Sequence, residues 1–150
     1  MKPGKLILVL GFLVTSMSAF AQDLSVENVK LGMTSRQVVG KLGKEYSMVD
    51  LIRESVGEGE DYSLLFRKGS PQEIDVTFTF GKVSSIEGFR LNYDGKSVAA
   101  GELSKKIIAL LGPPQEKDKS GLEYAVRSLH ARLVFRLKQD RLKSIVLEQW

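Results

Sequence analysis

Three groups of polar residues in this sequence could carry chemistry: one histidine close to a serine, one acidic tract and one basic cluster. His130 is the only histidine, and it lies two residues after Ser128 at a predicted loop edge. Nucleophilic catalysis by such a pair requires a third group that orients the histidine, and no such group is evident in the sequence. We therefore expect a solvated His130, no catalytic residues and no enzymatic activity.

The acidic tract consists of Glu58, Glu60 and Asp61, with Asp50 and Glu54 upstream. A calcium loop of the EF-hand type needs alternating Asp or Asn ligands and a distant bidentate Glu, and this tract lacks that pattern. Cysteine is absent, which excludes thiolate metal sites, and no glycine spacing matches a phosphate-binding loop. We expect no metal and no cofactor, and we interpret the tract as a solvated loop.

The basic cluster is the strongest candidate for a binding site. It comprises five residues on and around the last predicted hairpin: Arg132, Arg136, Lys138, Arg141 and Lys143. Arg132, Arg136 and Lys138 share strand parity, so they line one surface. An acidic protein surface, anionic lipid headgroups or lipopolysaccharide phosphates suit such a patch. Nucleic acid is not expected, because stacking aromatics are not interleaved. The alternative interpretation is that these cations only keep an outward sheet face soluble.

The N-terminus has the pattern of a cleavable export signal. Lys2 and Lys5 form a basic start, Leu6–Val14 is almost entirely apolar, and an Ala-Phe-Ala cleavage site ends at Ala21. The apolar run is well short of the roughly 20 residues that span a bilayer. We expect residues 1–21 to be removed and the remaining chain to be periplasmic or secreted. It has no cysteine for a lipoprotein anchor or a disulfide.

The predicted helices show that the chain contains an internal repeat. The segment LGMTSRQVVGKLG at 31–43 returns as AGELSKKIIALLG at 100–112, and predicted strands follow each copy. We expect an α+β fold of two tandem units, each a helical segment packed on a small antiparallel sheet of about three to four strands. The units are residues 22–95, with nine Lys and Arg against twelve Asp and Glu, and residues 96–150, with eleven against six.

Individual elements follow from local patterns. Thr34 and Gln37 predict a capping box at the start of the first helix, and Glu73–Phe80 alternates as a half-buried strand does. Gly81 and Lys82 predict a type II′ hairpin turn after that strand. A bulge near Ser84-Ser85 or Gly88 would keep the returning strand in phase.

Several further elements are expected with less local support. Met48–Val56 is a candidate short helix, and Val98–Leu111 is the predicted second helix. Five aromatic residues are expected in the core, with an interface role as the alternative; they are Tyr62, Phe66, Phe78, Phe80 and Phe135. Trp150 is also expected to pack on the core, and the alternative is an exposed anchor for a partner.

Several segments of the chain carry a resemblance to a known family: Val29–Val38, Leu42-Gly43, a weaker copy at Leu110–Pro113, and the hairpin segments Phe78–Val83 and Phe135–Lys138. These segments resemble the SmpA/OmlA (BamE-type) domain family of bacterial envelope proteins and the similarly built β-lactamase-inhibitor-protein-like fold. The resemblance implies a non-enzymatic envelope protein that works through protein contacts. The chain departs from the family in its missing lipoprotein cysteine, in Lys44-Glu45 where a proline is usual, and in its two units.

The expected function is therefore binding of a protein partner through the sheet faces, as an adaptor or inhibitor in the cell envelope. The alternative is a structural envelope protein that associates with anionic lipid or lipopolysaccharide through its basic second repeat. An exposed edge strand could also pair two chains, so the sequence leaves the oligomeric state open.

Overall fold

The computed structural model describes residues 23–46, 48–52, 61–67 and 69–150. The predicted export signal at 1–21 and most of the acidic tract lie outside these residues. About half of the described residues lie in strands. The strands are β1 (Ser25–Val26), β2 (Met48–Ile52), β3 (Tyr62–Phe66), β4 (Ile74–Thr79), β5 (Lys82–Gly88), β6 (Arg90–Tyr93), β7 (Lys96–Ala99), β8 (Glu116–Lys117), β9 (Gly121–Val126), β10 (Ala131–Lys138) and β11 (Arg141–Gln149). The helices are α1 (Ser35–Leu42) and α2 (Ser104–Leu111).

Two antiparallel sheets contain all of these strands. Eight strands form one continuous sheet in the order β2-β3-β4-β5-β11-β10-β9-β8, and β1-β6-β7 form a three-stranded sheet. The fold is thus mostly β, and the predicted α+β class of two separate units, each with its own small sheet, is wrong. The physical reason is that β5 pairs with β11 and joins both halves of the chain into one sheet.

The pairing of β5 with β11 lies at the centre of the large sheet. Gly88 lies opposite Ile145, and Ile86 lies opposite Leu147. A buried antiparallel pair of this kind satisfies backbone groups that two separate sheets would expose at their edges. The boundary predicted between residues 95 and 96 falls in the turn of the β6–β7 hairpin.

The repeat is visible in backbone hydrogen bonds that recur in both halves. In each half the loop before the helix pairs with the first residues of the central strand. The first set is Gly32 N–H to Val83 O at 2.9 Å and Val83 N–H to Met33 O at 2.8 Å; the second is Gly101 N–H to Leu142 O and Leu142 N–H to Glu102 O, both at 2.8 Å. Gly32 and Gly101 both have positive φ, at 83° and 94°, where glycine is the least strained residue.

Both central hairpins also carry a bulge at the same place. Ser84 is skipped in the register between β4 and β5, as the sequence predicts, and Lys143 is skipped between β10 and β11. Both hairpins end in a two-residue turn with positive φ at both positions, Phe80-Gly81 and Gln139-Asp140. This is the type I′ geometry. The predicted type II′ turn at Gly81-Lys82 is wrong by one residue, because Thr79 pairs with Lys82.

One hydrophobic core unites the helices, the small sheet and one face of the large sheet. Val38 of α1 and Ile107 of α2 belong to the same buried cluster as Ile86 and Leu147 of the central strands. The opposite face of the large sheet carries Ser63, Leu65, Asp75, Thr77, Ser85, Glu87, Glu123, Ala125, Arg132, Val134, Arg136, Ser144, Val146 and Glu148. We call this surface the open face.

Several local predictions need correction. Val98 lies in β7, so the second helix begins at Ser104; a short apolar run does not by itself distinguish strand from helix. Met48–Ile52 is a strand and not part of a short helix. Phe66, Phe78 and Phe135 are fully buried as expected, but two other aromatics, Phe80 and Trp150, are exposed.

Candidate partner-binding face

The five basic residues predicted to bind a partner are all exposed, but they do not form one uniform surface. Arg132 and Arg136 lie on the open face, four residues apart on β10. Lys138, Arg141 and Lys143 lie at the other end of the same hairpin, beyond or within its bulge. The predicted cluster therefore divides into two parts with different surroundings.

Arg132 is held by two carboxylates of neighbouring strands. Its Nε lies 2.5 Å from Glu148 Oε1 on β11, and its guanidinium lies 3.9 Å from Glu123 Oε1 on β9. The hydrogen bond and the charge of Glu148 raise the pKa of Arg132 above its usual value. Glu148 is the direct cross-strand partner of Arg132, and Glu123 is the cross-strand partner of Val134, two residues along β10. Opposite charges at such neighbouring positions stabilise a sheet.

Arg136 is paired across two strands. Its guanidinium lies 2.5 Å from Glu87 Oε1 on β5, and Ser144 Oγ on the intervening β11 is 3.2 Å from the same oxygen. This network therefore joins the two halves of the chain. Surface pairs of this type contribute only about 0–1 kcal/mol each, so their main effect is to fix where the charges point.

An apolar centre lies between these ion pairs. Val134 on β10 and Val146 on β11 are direct cross-strand partners on the open face. Toward the first half, hydroxyl groups continue the surface. Ser63 and Thr77 are hydrogen-bonded at 3.0 Å. Apolar residues surrounded by oriented polar groups are the usual composition of a protein interface.

The remaining three predicted residues make no ion pair among the described residues. Arg141 donates to the carbonyl oxygen of Gly101 at 2.9 Å, while Lys138 and Lys143 are solvated. Lys143 lines a surface cleft of about 560 Å³ together with Lys117, Asp118 and Arg136. In that cleft Asp118 accepts bonds from the Ser120 hydroxyl and from backbone N–H groups, which lower the pKa of its carboxyl.

Sequence reasoning missed the acidic partners in this site. Glu87, Glu123 and Glu148 have the correct strand parity to face Arg132 and Arg136, so alternation alone could have placed them on the same side. Their pairing depends on the order β5-β11-β10-β9, which no local pattern encodes. The open face is consequently mixed in charge and not basic.

Among the described residues, no side-chain hydrogen bond joins Ser128 and His130. Ser128 and His130 are exposed in a turn where His130 has a φ of 48°. The described residues contain no group of three or more His, Cys, Asp or Glu side chains that could hold a metal ion. In the same part of the chain, no helix is long and apolar enough to cross a membrane.

Comparisons with protein-family models, with curated proteins and with solved structures find no match to this chain. The resemblance to the SmpA/OmlA (BamE-type) family and to the inhibitor-like fold therefore stays a hypothesis that rests on the quoted sequence segments.

Proposed function

We propose that this chain is a non-enzymatic, exported protein of the cell envelope that binds a protein partner through the open face, as an adaptor or inhibitor. The observation that carries this proposal is the apolar pair Val134 and Val146 between two oriented ion pairs. Helices and the small sheet pack on the other face of the large sheet. Within the described part of the chain, the open face is therefore the extended surface left for a partner.

The arrangement of charges favours a protein partner over a uniformly anionic surface. Arg132 and Arg136 already have carboxylate partners, so the open face offers alternating charges of both signs. Such alternation gives specificity and correct orientation in protein complexes. An anionic lipid surface would instead be attracted by unpaired cations.

The proposal can be tested by placing a photo-activated cross-linking amino acid at Val134. The matched control position is Ala109, which is exposed on α2 on the opposite side of the large sheet. A protein of the envelope fraction should be captured from Val134 and not from Ala109. It should be lost when Arg132 and Arg136 are both changed to Glu. Equal capture from both positions, or no capture from Val134, would contradict the proposal.

The alternative function is association with anionic lipid or lipopolysaccharide through the basic second repeat. It is supported by Lys138 and Lys143, which have no ion-pair partner among the described residues. Binding of anionic vesicles that is lost on changing both lysines to Gln, with the Val134 cross-link absent, would favour this alternative.

A further inference from the structure

Two large aromatic side chains stand out because they are not used by the core. Phe80 is 80% exposed and Trp150 is 65% exposed, whereas Phe66, Phe78 and Phe135 are fully buried. Leaving a Phe side chain in water forgoes roughly 1.5–3 kcal/mol of burial free energy. Single exposed apolar residues are common on protein surfaces, so exposure alone does not assign these two side chains a role.

Phe80 is also unfavourable for its turn. It has a φ of 50° in the type I′ turn with Gly81, and this turn strongly prefers Asn, Asp or Gly at both central positions. The equivalent turn of the second half has Gln139 and Asp140 with φ values of 52° and 61°. Neither burial nor turn geometry explains Phe80. A residue that violates both local rules is expected where the chain contacts something else.

Phe80 and Trp150 lie at the same end of the large sheet. Phe80 lies in the turn between β4 and β5, two residues before β5 starts, and Trp150 directly follows the end of β11. Because β5 and β11 are antiparallel, with Ser85 opposite Glu148, the start of one strand lies beside the end of the other. The Trp150 N–H donates to the carbonyl oxygen of His130 at 3.1 Å, so the turn before β10 belongs to this end as well.

Exposed cations accompany the two aromatics. Lys82 follows the Phe80-Gly81 turn, and Arg127 lies in the turn that contains His130; both are exposed. Neither forms an ion pair within the described part of the chain. The acidic residue before β3, Asp61, is half-buried. We call Phe80, Lys82, Arg127 and Trp150 the aromatic end.

We propose that the aromatic end is a membrane-contact site that inserts Phe80 and Trp150 into the interface of an anionic bilayer. The aromatic end consists of turns and a strand terminus and not of a continuous sheet face, whereas a standard protein interface needs roughly 800 Å² per partner. A bilayer interface needs no matching shape. It accepts aromatic rings at the headgroup level and attracts nearby lysine and arginine.

This inference does not depend on the protein-binding function, and it concerns a different surface. Insertion from one end of the strands would leave the open face accessible to a partner, because side chains of that face project sideways from the strands. Apolar insertion and basic contacts are two separate signals of the kind that together hold a protein at a membrane surface.

Trp150 is the only tryptophan of the chain, so its fluorescence reports directly on this end. The test uses the exported form, residues 22–150, which contains every residue of the described core. It is mixed with vesicles of equal parts phosphatidylserine and phosphatidylcholine, or of phosphatidylcholine alone. A blue shift of the emission and quenching by brominated acyl chains are expected with the anionic vesicles, and both should weaken as salt rises, because screening shortens the range of exposed charges.

Two variants identify the contact. Phe80→Asn suits the turn geometry and should weaken vesicle binding about tenfold or more, as expected for loss of one inserted aromatic side chain. The control Gln139→Asn changes the equivalent turn at the other end and should leave binding unchanged. An unshifted Trp150 emission with anionic vesicles would overturn the proposal. So would vesicle binding that survives Phe80→Asn but is lost in a Lys138→Gln, Lys143→Gln variant.

Discussion

The two halves of this chain build the same backbone and complete it with different side chains. Each half has a loop bonded to a central strand, then an eight-residue helix and a bulged hairpin. Gly88 and Leu147 occupy equivalent positions on β5 and β11, as their register with Ile145 and Ile86 shows. The comparison shows which features belong to the shared frame and which belong to one half alone.

The space that Leu147 fills in the second half is filled by another segment in the first. A Cβ atom on Gly88 would lie 2.6 Å from Glu27 Cγ and 2.9 Å from Val26 Cγ1. Glu27 is buried, and it accepts a hydrogen bond from the Phe89 N–H at 2.8 Å. The β1 segment therefore takes the place of a side chain, and glycine is required where it passes.

The helix starts differ in a related way. Thr34 and Gln37 form a complete capping box, so α1 satisfies its first backbone groups locally. Leu103 precedes α2 and provides no side-chain cap. Instead Asp140, in the distant hairpin turn, accepts the Ser104 N–H at 3.0 Å through its backbone and contacts the Ser104 hydroxyl through its side chain. The Gln139-Asp140 turn therefore caps the start of α2, whereas α1 is capped by Thr34 and Gln37 and not by the Phe80-Gly81 turn.

The largest effect is expected where the second half fills its own core. Leu147→Ala should lower the free energy of unfolding by about 2–5 kcal/mol, because it leaves a cavity at a fully buried position. Urea denaturation measures the change, and Leu147→Met is the control, with an expected loss below about 1.5 kcal/mol. A small loss in the Ala variant would contradict this expectation and would indicate that the β1 segment can fill the space left by Leu147 as well as the space beside Gly88.

The next largest effect is a dependence of the free energy of unfolding on pH, which is expected from Tyr124 and not from its equivalent Phe66. Tyr124 occupies the position that Phe66 has in the first half, and its hydroxyl donates to the Gly112 carbonyl at 2.9 Å. Burial raises the pKa of Tyr124 to about 12. The unfolded chain loses this proton near pH 10, while the folded chain keeps it until about pH 12. The contribution of Tyr124 to the free energy of unfolding is thus fully present below pH 10, and it falls by on the order of 2–3 kcal/mol as the pH rises to 12.

The control for this pH effect copies the first half. Tyr124→Phe should reduce stability at neutral pH by about 1 kcal/mol, because the hydrogen bond to Gly112 is lost. The free energy of unfolding of this variant should also fall less steeply above pH 10 than that of the unchanged protein. The residual slope belongs to Tyr46 and Tyr93, because burial raises the pKa of both. Equal slopes in the two proteins would contradict the assignment.

A somewhat smaller loss is expected at Gly88. Gly88→Ala should cost about 1–3 kcal/mol, because the new methyl group overlaps Glu27 and Val26. Adding Glu27→Gly removes one of the two overlapping groups and suits the φ of 53° at that position. The double variant should therefore lose less than the sum of the single losses in thermal unfolding, and simple additivity would show that the two residues do not compete for space.

The helix caps should differ by about 1 kcal/mol. Asp140→Gly keeps the positive φ of the turn but removes the side-chain contact with Ser104, so about 0.5–1.5 kcal/mol should be lost. Adding Leu103→Thr introduces the residue type that caps α1 and should recover part of the loss, as measured by urea denaturation. If Asp140→Gly alone is neutral, the backbone bond to Ser104 is a sufficient cap.

Local patterns predicted the parts of the fold that depend on neighbouring residues. The capping box of Thr34 and the buried face of Ile74, Val76 and Phe78 are confirmed, because each reflects interactions within a few residues. The pairing of β5 with β11 and the helix start at Ser104 depend on contacts between distant segments. Such pairings leave no local pattern in the sequence, which is why the predicted α+β class is wrong.

The candidate site shows the same division. Alternation on β10 predicts Arg132, Arg136 and Lys138 on one face. Arg132 and Arg136 are exposed on the open face, and Lys138 is exposed beyond the bulge. Their carboxylate partners come from three other strands, so the sequence suggested a basic patch where the structure has a mixed surface. The prediction that Phe80 and Trp150 pack in the core is wrong, because hydrophobicity indicates burial only on average.

The smallest effect tests what distinguishes the two hairpin turns. Phe80→Asn should leave the protein as stable as before or raise its free energy of unfolding by a few tenths of a kcal/mol, because Asn tolerates positive φ better and little burial is lost. Thermal unfolding of this variant beside Gln139→Asn measures the difference. A clear loss of stability would assign Phe80 a role in folding. Unchanged stability, combined with weaker vesicle binding, would mean that the first-half turn departs from its counterpart for the sake of a contact outside the molecule.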